Sequence, residues 1–160
     1  MLIKTITDED FVNYCKPSMF IGLCYCNWKC CVENNLPVTT CQNESLAQQS
    51  NIEVPINFIF NRYVDNPITS AIVIAGLEPF LQFEEVYQLI EYFRINNNYD
   101  DIVIYTGYYP NEIEDYITKL KQFRNIVIKF GRFIPNDKSK FDDVLGIELA
   151  SQNQYAERIS

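Results

Sequence analysis

Thiols are the residues of this 160-residue chain whose number and spacing could support chemistry. Five of the six cysteines fall within residues 24–43, the sixth lies just upstream, and none follows. A cluster this dense is typical of either a disulfide framework or a metal site. In chain order, the cysteines are Cys15, Cys24, Cys26, Cys30, Cys31 and Cys41.

The length of the chain weakens the disulfide interpretation. A chain of 160 residues buries about two-thirds of its unfolded surface and can fold on an ordinary hydrophobic core. The sequence starts without a basic and apolar leader, so we expect a cytoplasmic protein in which thiols stay reduced. No apolar run approaches the length of about 18 residues that a membrane span requires, so we expect no membrane partner.

Charge and composition exclude several function classes. The net charge is −8, so the chain lacks the basic surface that nucleic-acid binding requires. The sequence contains no histidine, which removes histidine general bases and histidine zinc ligands. Any metal must therefore be bound by thiolate, carboxylate or backbone groups.

The elements that must position the thiols are predicted from apolar patterning. Continuous apolar runs predict strands, and apolar residues at helical spacing predict amphipathic helices, with one or two further helices within residues 44–66. Strands that alternate with helices predict an α/β fold with a mainly parallel sheet in a single domain, residues 1–160. The predicted strands cover residues 18–24, 71–76, 101–107 and 125–131, and the two clearest helices cover 82–96 and 111–123.

The N-terminal residues 1–17 are predicted to be a peripheral segment. Within it, Thr7 followed by three acidic residues resembles the start of a helix, with the threonine as its cap.

Glycines mark the ends of the later predicted strands. Gly76, Gly107 and Gly131 each stand where a strand ends, and Cys26 follows the first strand. Ligand sites of α/β folds lie at the carboxyl edge of the parallel strands. We therefore expect the thiol cluster and the glycine turns to meet at this edge.

The spacing of the cysteines separates two kinds of metal site. Tetrahedral zinc sites favour two paired Cys knuckles, and this chain offers no second pair. Iron–sulfur clusters bind cysteine thiolates at short spacings, and here Cys26-x3-Cys30 is followed by Cys41. Three protein thiolates would leave one iron of a cluster open to a ligand.

These segments resemble radical S-adenosylmethionine (SAM) proteins, and in particular the small activating enzyme of anaerobic (class III) ribonucleotide reductase. Cys26 and Cys30 resemble the first two ligands of the Cys-x3-Cys-x2-Cys signature, and Cys41-Gln42-Asn43 resembles its third ligand with a Cys-x-Asn continuation. Similar motifs follow in the family's order from residue 18 to about residue 155. They are Ala75-Gly76-Leu77-Glu78-Pro79-Phe80, Tyr105-Thr106-Gly107-Tyr108, Gly131-Arg132-Phe133 and Ser151-Gln152-Asn153-Gln154.

The resemblance implies a fold, a cluster and a ligand. The fold would be a partial (β/α) barrel of the radical SAM type. Cys26, Cys30 and Cys41 would bind a [4Fe-4S] cluster, and SAM would bind the open iron. The residues implied to contact SAM are Gly76, Glu78, Pro79, Asn43, Thr106 and Gly107.

The resemblance also implies an activity. The protein would be an oxidoreductase that cleaves SAM reductively to a 5′-deoxyadenosyl radical and generates a glycyl radical on a large partner, anaerobic ribonucleotide reductase. A one-electron donor such as flavodoxin or ferredoxin would reduce the cluster. Two alternatives remain: a small radical SAM synthase that acts on a small molecule, and a non-catalytic zinc- or cluster-binding interaction module.

The loop before Cys41 departs from the family pattern. Ten residues, 31–40, stand where the family has two. Closing the longer loop costs about 1.4 kcal/mol more, which cluster binding can outweigh. Cys31 is a second candidate for the middle ligand, and Cys30 is preferred because it preserves the x3 spacing of the signature.

Overall fold

The computed structural model of the protein describes residues 1–160. Its centre is one six-stranded sheet with the strand order β10-β7-β6-β5-β3-β2. The four inner strands run parallel, and an antiparallel strand pairs with each outer side. The strands of this sheet are β2 (Thr5–Asp10), β3 (Ser18–Leu23), β5 (Ala71–Gly76), β6 (Asp101–Tyr105), β7 (Ile126–Phe130) and β10 (Tyr155–Arg158).

The remaining elements are short except for two helices. The helices are α1 (Lys29–Val32), α2 (Glu44–Ala47), α3 (Ile56–Val64), α4 (Phe83–Ile95) and α5 (Glu114–Leu120). Two small antiparallel pairs join β1 (Leu2–Ile3) to β4 (Ile52–Glu53) and β8 (Lys140–Asp142) to β9 (Ile147–Leu149). No helix is long and apolar enough to cross a membrane.

The two faces of the sheet are covered differently. Helices α3, α4 and α5 pack on one face and form the larger core, with Ile59, Phe93 and Leu120 buried there. Helix α4 forms because its apolar side chains recur at helical spacing, so that one stripe faces the sheet. The opposite face has a smaller core, in which Tyr14, Leu145 and Leu149 cover the sheet without any helix.

The inner strands are mostly apolar on both faces, which allows both faces to be buried. Every residue of β5 is buried except Gly76, which is partly exposed at the strand end. Continuous burial of this kind is typical of parallel strands. The predicted positions of β3, β5, β6, β7 and α4 agree with the structure to within two residues.

The predicted partial (β/α) barrel with a mainly parallel sheet is wrong. The structure is α/β, but its sheet is open and mixed, with β2 antiparallel to β3 at one edge and β10 antiparallel to β7 at the other. Strands from the two ends of the chain therefore occupy both edges of the sheet, and each of them is antiparallel to its neighbour.

The predicted helix start at Thr7 is also wrong, because these residues form β2. This edge strand carries a run of acids, and Asp8 is bound through both carboxylate oxygens by Arg62 from α3. Charged side chains are common on edge strands, where they discourage pairing with another chain. The same acids suit the first turn of a helix, which is why the sequence pattern was ambiguous.

Candidate functional site

A cavity of about 560 Å³ opens at the carboxyl ends of the parallel strands. One side of it, the cysteine wall, is formed by Cys26, Cys30 and Cys41. The other side, the strand-end wall, is formed by four residues at the end of β5 or just after β5 and β6. They are Gly76, Glu78, Thr106 and Gly107.

The cavity brings together nearly all the predicted site residues. Asn43 lines it as well, and of the predicted set only Pro79 does not. Pro79 is buried at the first position of a short 3-10 helix that spans Pro79–Gln82 and leads into α4. Proline suits that position because its fixed backbone angle matches the first helical turn.

Glu78 is the buried acid of the strand-end wall, with 6% of its surface exposed. Its Oε1 accepts hydrogen bonds from the Thr106 hydroxyl at 2.7 Å and from the Phe80 backbone N–H at 3.2 Å. Its Oε2 accepts one from the Gly107 N–H at 2.9 Å. Burial raises the pKa of Glu78, and these hydrogen bonds oppose that rise. The carboxyl group is thus held in one orientation before any ligand binds.

Two of the glycines at strand ends are required by the backbone. Gly76 has φ +84°, and a Cβ there would lie 2.9 Å from the Gly22 Cα and 3.1 Å from the Leu23 nitrogen. Gly131 has φ +96°, and a Cβ there would lie 2.8 Å from the Asn153 carbonyl oxygen. Only glycine adopts such angles freely, so both positions let neighbouring backbone approach the strand ends.

Backbone N–H groups point at two of the three thiols. The Trp28 N–H lies 3.3 Å from Cys26 Sγ, and the Asn43 N–H lies 3.4 Å from Cys41 Sγ. Trp28 has φ 57°, which is rare for a bulky residue and turns the chain between Cys26 and Cys30. Hydrogen bonds to sulfur are one means by which a protein sets the potential of an iron–sulfur cluster.

The thiols differ in how readily they ionise. The hydrogen bond from the Cys30 thiol lowers the pKa of Cys41 to about 6, and the same bond raises the pKa of Cys30. Burial raises the pKa of Cys26 to about 11. Because iron binds the thiolate form, cluster binding must displace protons from Cys26 and Cys30.

Cys31 lies away from the cavity. It is buried at 3% exposure, and its Sγ lies 3.8 Å from that of Cys30 and 3.9 Å from the Thr40 hydroxyl oxygen. Of the two adjacent cysteines, only Cys30 lines the cavity. Cys24 is buried and Cys15 is exposed, and neither of them lines the cavity.

The donor set of the cysteine wall fits an iron–sulfur cluster. Three thiols without a histidine face one cavity, and thiolates are the usual ligands of such clusters. No group of three Cys, Asp or Glu side chains converges to hold a single metal ion. A cubane cluster is larger than one ion, so its ligands stand around it rather than converging on a point.

Ion pairs join residues 24–43, the cysteine loop, to the segments that follow β6 and β7. Arg132, just past β7, donates to both carboxylate oxygens of Glu112 at 2.7 and 2.8 Å and to Glu33 at 2.9 Å. Lys29, from α1, lies 2.6 Å from Glu112 as well. The hydrogen bond from Arg132 lowers the pKa of Glu112 to about 2. The Gly-Arg-Phe element of the sequence thus holds the loop that carries the thiols.

Two shorter links join the cysteine loop to β5. The Glu78 N–H donates to the Tyr25 carbonyl at 2.6 Å, and the Asn43 side-chain amide donates to the Gly76 carbonyl. Both links join the segment that carries the thiols to residues of the strand-end wall.

Among the cavity residues that sequence reasoning missed, Lys129 is the one that is both charged and buried. It lies in β7, lines the cavity and is 6% exposed. The available signal was a single lysine inside the apolar run Ile126–Phe130. A charge in a strand buried on both faces is unusual and marks a site that needs an explanation.

The comparisons with known proteins agree with the donor set. A family model described as a 4Fe-4S single cluster domain matches residues 15–155, which include all six cysteines and every predicted site residue. Searches of curated proteins and of solved structures give no match. The chain therefore belongs to the 4Fe-4S single cluster domain family, a radical-SAM-associated group of iron–sulfur domains.

Proposed function

We propose that this protein is a radical SAM activase that generates a glycyl radical on a large partner enzyme, anaerobic ribonucleotide reductase. The observation that carries the proposal is the shared cavity, in which three thiols face a buried carboxylate at the strand ends. A cluster held on one wall would leave the rest of the cavity for its ligand.

The cysteine wall would hold the cluster through Cys26, Cys30 and Cys41. Three thiolates on four irons leave one iron without a protein ligand, and SAM would bind there. When bound and reduced by a donor, such a cluster would supply the one electron needed to cleave the sulfonium bond of SAM to methionine and a 5′-deoxyadenosyl radical. That radical would take a hydrogen atom from a glycine Cα of the partner, which would leave the glycyl radical and 5′-deoxyadenosine.

The strand-end wall would orient the methionine part of SAM. Glu78 is fixed by three hydrogen bonds, and its Oε2 uses only one of them. That oxygen can accept a further hydrogen bond from an ammonium group, and such charge-assisted bonds are the stronger kind. The backbone of Gly76 and Gly107 carries no side chain there, so a ligand can approach it closely.

The chain needs no acid or base for this chemistry. Hydrogen-atom transfer moves a proton and an electron together, and a chain without histidine can perform it. The glycine would come from a docked protein rather than from a pocket in this chain. A donor such as flavodoxin or ferredoxin would supply the electron.

Anaerobic reconstitution with iron and sulfide tests the proposal. We expect about four irons per chain, the content of one cubane cluster. Dithionite and SAM should then yield 5′-deoxyadenosine and methionine. Adding the large subunit of an anaerobic ribonucleotide reductase should yield a glycyl radical signal in electron paramagnetic resonance (EPR) spectra.

A Glu78→Gln variant tests the orienting role within the same assay. We expect SAM affinity to fall about tenfold or more, because a charge-assisted hydrogen bond becomes a neutral one. Glu84→Gln is the matched control, since Glu84 is exposed on α4. A protein that binds one zinc tightly and cleaves no SAM after reconstitution would instead be an interaction module.

A further inference from the structure

Lys129 is a buried cation to which no role has yet been given. It lies in β7 and lines the cavity. Its Nζ donates one hydrogen bond, to the Gly131 carbonyl at 2.8 Å. It forms no ion pair, although an ammonium group has three N–H donors. The protein therefore satisfies this charge only in part.

The other buried cations of the chain have more partners. Arg132 binds two carboxylates, and Arg94 donates to three backbone carbonyl groups. Lys4 donates to two carbonyl groups at and just past the end of α2. A buried ammonium group with a single neutral partner costs free energy in the folded chain. The exception lies in the cavity, where a negatively charged occupant would offset this cost.

Lys129 is the only basic residue among those that line the cavity. Burial lowers its pKa to about 7, and the Glu78 carboxylate and the Cys30 thiolate act in the opposite direction. Glu78 already accepts three hydrogen bonds, and Glu148, the other acid that lines the cavity, is exposed to solvent. The ring of Tyr105 lies 6.0 Å from Nζ and carries no charge. The negative charge that lacks a compensating group in this cavity is thus that of the cysteine wall.

A cubane cluster on the cysteine wall would be an anion. Three thiolates outweigh the positive charge of an oxidised [4Fe-4S] core, and reduction adds one more negative charge. A cation in the same buried cavity attracts the more negative form more strongly, because the protein screens the two charges less than water does. The anion in turn raises the pKa of Lys129, so the side chain is an ammonium group in cluster-loaded protein.

We propose that the ammonium group of Lys129 stabilises the reduced form of the cluster and thereby raises its reduction potential. The inference rests on the proposed function only for the site of the cluster, on Cys26, Cys30 and Cys41, and it requires neither SAM nor a partner protein. The electron passes from the donor to the cluster, and no bond forms or breaks at Lys129. Net charge close to a cluster is one of the determinants of its potential.

Two other roles for Lys129 make different predictions. If its hydrogen bond to Gly131 simply held the end of β7, removing it would lower the unfolding temperature and leave the potential unchanged. If it acted only on a bound ligand, removing it would change ligand affinity and leave the potential of the ligand-free protein unchanged. A potential measured without SAM therefore isolates the proposed role.

The test is a potentiometric titration of reconstituted, SAM-free protein, followed by the EPR signal of the reduced cluster. Lys129→Met removes the charge and keeps an unbranched apolar stem. We expect its midpoint potential to be more negative by about 59 mV or more, which is a tenfold or larger change in the one-electron equilibrium. Lys129→Arg keeps the charge and should shift the potential by less than half as much. Lys121→Met is the control and should match wild type, since Lys121 is exposed at the end of α5.

A second neutral variant separates the charge from the fold. Lys129→Gln removes the charge but can still donate a hydrogen bond to the Gly131 carbonyl, and it should show the same shift as Lys129→Met. Iron analysis of every sample should give about four irons per chain, so that a lost cluster is not mistaken for a shifted potential.

The failures of the two proposals are distinguishable. An unchanged midpoint potential in either neutral variant at full iron content overturns the role of Lys129 and leaves the activase proposal standing. A shifted potential in a protein whose wild type cleaves no SAM supports the role of Lys129 and overturns the activase proposal. Wild-type protein that takes up no cubane cluster overturns both.

Discussion

The strand-end wall of the cavity is buried and cross-linked by hydrogen bonds, whereas the cysteine wall is a largely exposed loop. Glu78 and Thr106 are 6% and 3% exposed, and they are bonded to each other. Within residues 24–43 only Cys24 and Cys31 are buried, and the helices there span no more than four residues. The sheet fixes the first wall, and a few ion pairs and backbone links hold the second.

The two walls are held in place by different interactions. The strand-end wall is positioned by parallel strands whose core is complete without a ligand. The cysteine wall buries little apolar surface of its own, so metal binding would contribute directly to its stability. On the proposed function, the groups that would recognise the ligand are thus preorganised, and the cluster would complete the other wall.

Substitution of single cysteines in the cysteine wall should have the largest effect, on both iron content and SAM cleavage. Cys26→Ser, Cys30→Ser and Cys41→Ser should each lose more than about half of the reconstituted iron and all SAM cleavage, because two thiolates hold a cubane poorly. Cys31→Ser is the matched control and should keep both. Iron and sulfide analysis measures the outcome. Full activity in Cys30→Ser with loss in Cys31→Ser would reverse the assignment of the middle ligand.

Two glycine substitutions on the strand-end wall should differ in how far they lower the free energy of unfolding. Gly76→Ala should lower the free energy of unfolding by about 2–4 kcal/mol, because φ is positive and the added Cβ meets neighbouring backbone. Gly107→Ala should cost less than about 1 kcal/mol, since its Cβ would lie 3.6 Å from Glu78 Oε2. Chemical denaturation measures both. Equal losses would contradict the backbone argument.

Cluster loading should affect the two walls unequally. We expect amide hydrogen exchange in residues 24–43 to slow about tenfold or more on reconstitution, while amides of β5 (Ala71–Gly76) change little. Exchange followed by mass spectrometry resolves the two segments. Uniform slowing across both walls would show that the strand-end wall is not preorganised.

The smallest predicted effect concerns the ion pairs that fasten the cysteine loop. The pKa of Glu112 lies at about 2, below its ordinary value of 4.5, so the folded state favours the ionised form. The stabilisation is therefore complete above about pH 5 and disappears as the pH falls through 2. Glu112→Gln should cost about 1 kcal/mol at neutral pH, an amount reduced by solvent screening.

Denaturation curves at several pH values check that prediction. Wild type and Glu112→Gln should differ at pH 7 and converge near pH 2. A difference that is independent of pH would assign the loss to packing rather than to charge. Glu114→Gln is the matched control, since Glu114 is exposed on α5.

Much of the fold could be predicted because its signals are local. The strand Ala71–Gly76 and the helix Phe83–Ile95 follow from apolar runs and helical spacing within each segment. The edges of the sheet could not be predicted in this way. β2 carries alternating and acidic residues that suit an edge strand or a helix start equally, and its pairing with β3 is a tertiary choice.

The candidate site, like the fold, could be predicted only where its signals are local. The thiol spacing and the strand-end glycines indicated where a cavity would form, because parallel strands end at one edge. The contacts that stabilise the cavity join residues far apart in the sequence. Arg132 binds Glu33, which lies 99 positions away, and no local pattern indicates that contact. Lys129 was visible only as a charge within an apolar strand, and its unpaired state required the structure.

The most direct test of the shared site is EPR of the reduced, reconstituted protein with and without SAM. If the two walls bind cluster and ligand together, adding SAM should change the cluster signal. SAM labelled with ¹⁵N at its amino group should then show nuclear coupling to the cluster in double-resonance spectra. A cluster signal that is unchanged at saturating SAM, with no such coupling, would contradict the account.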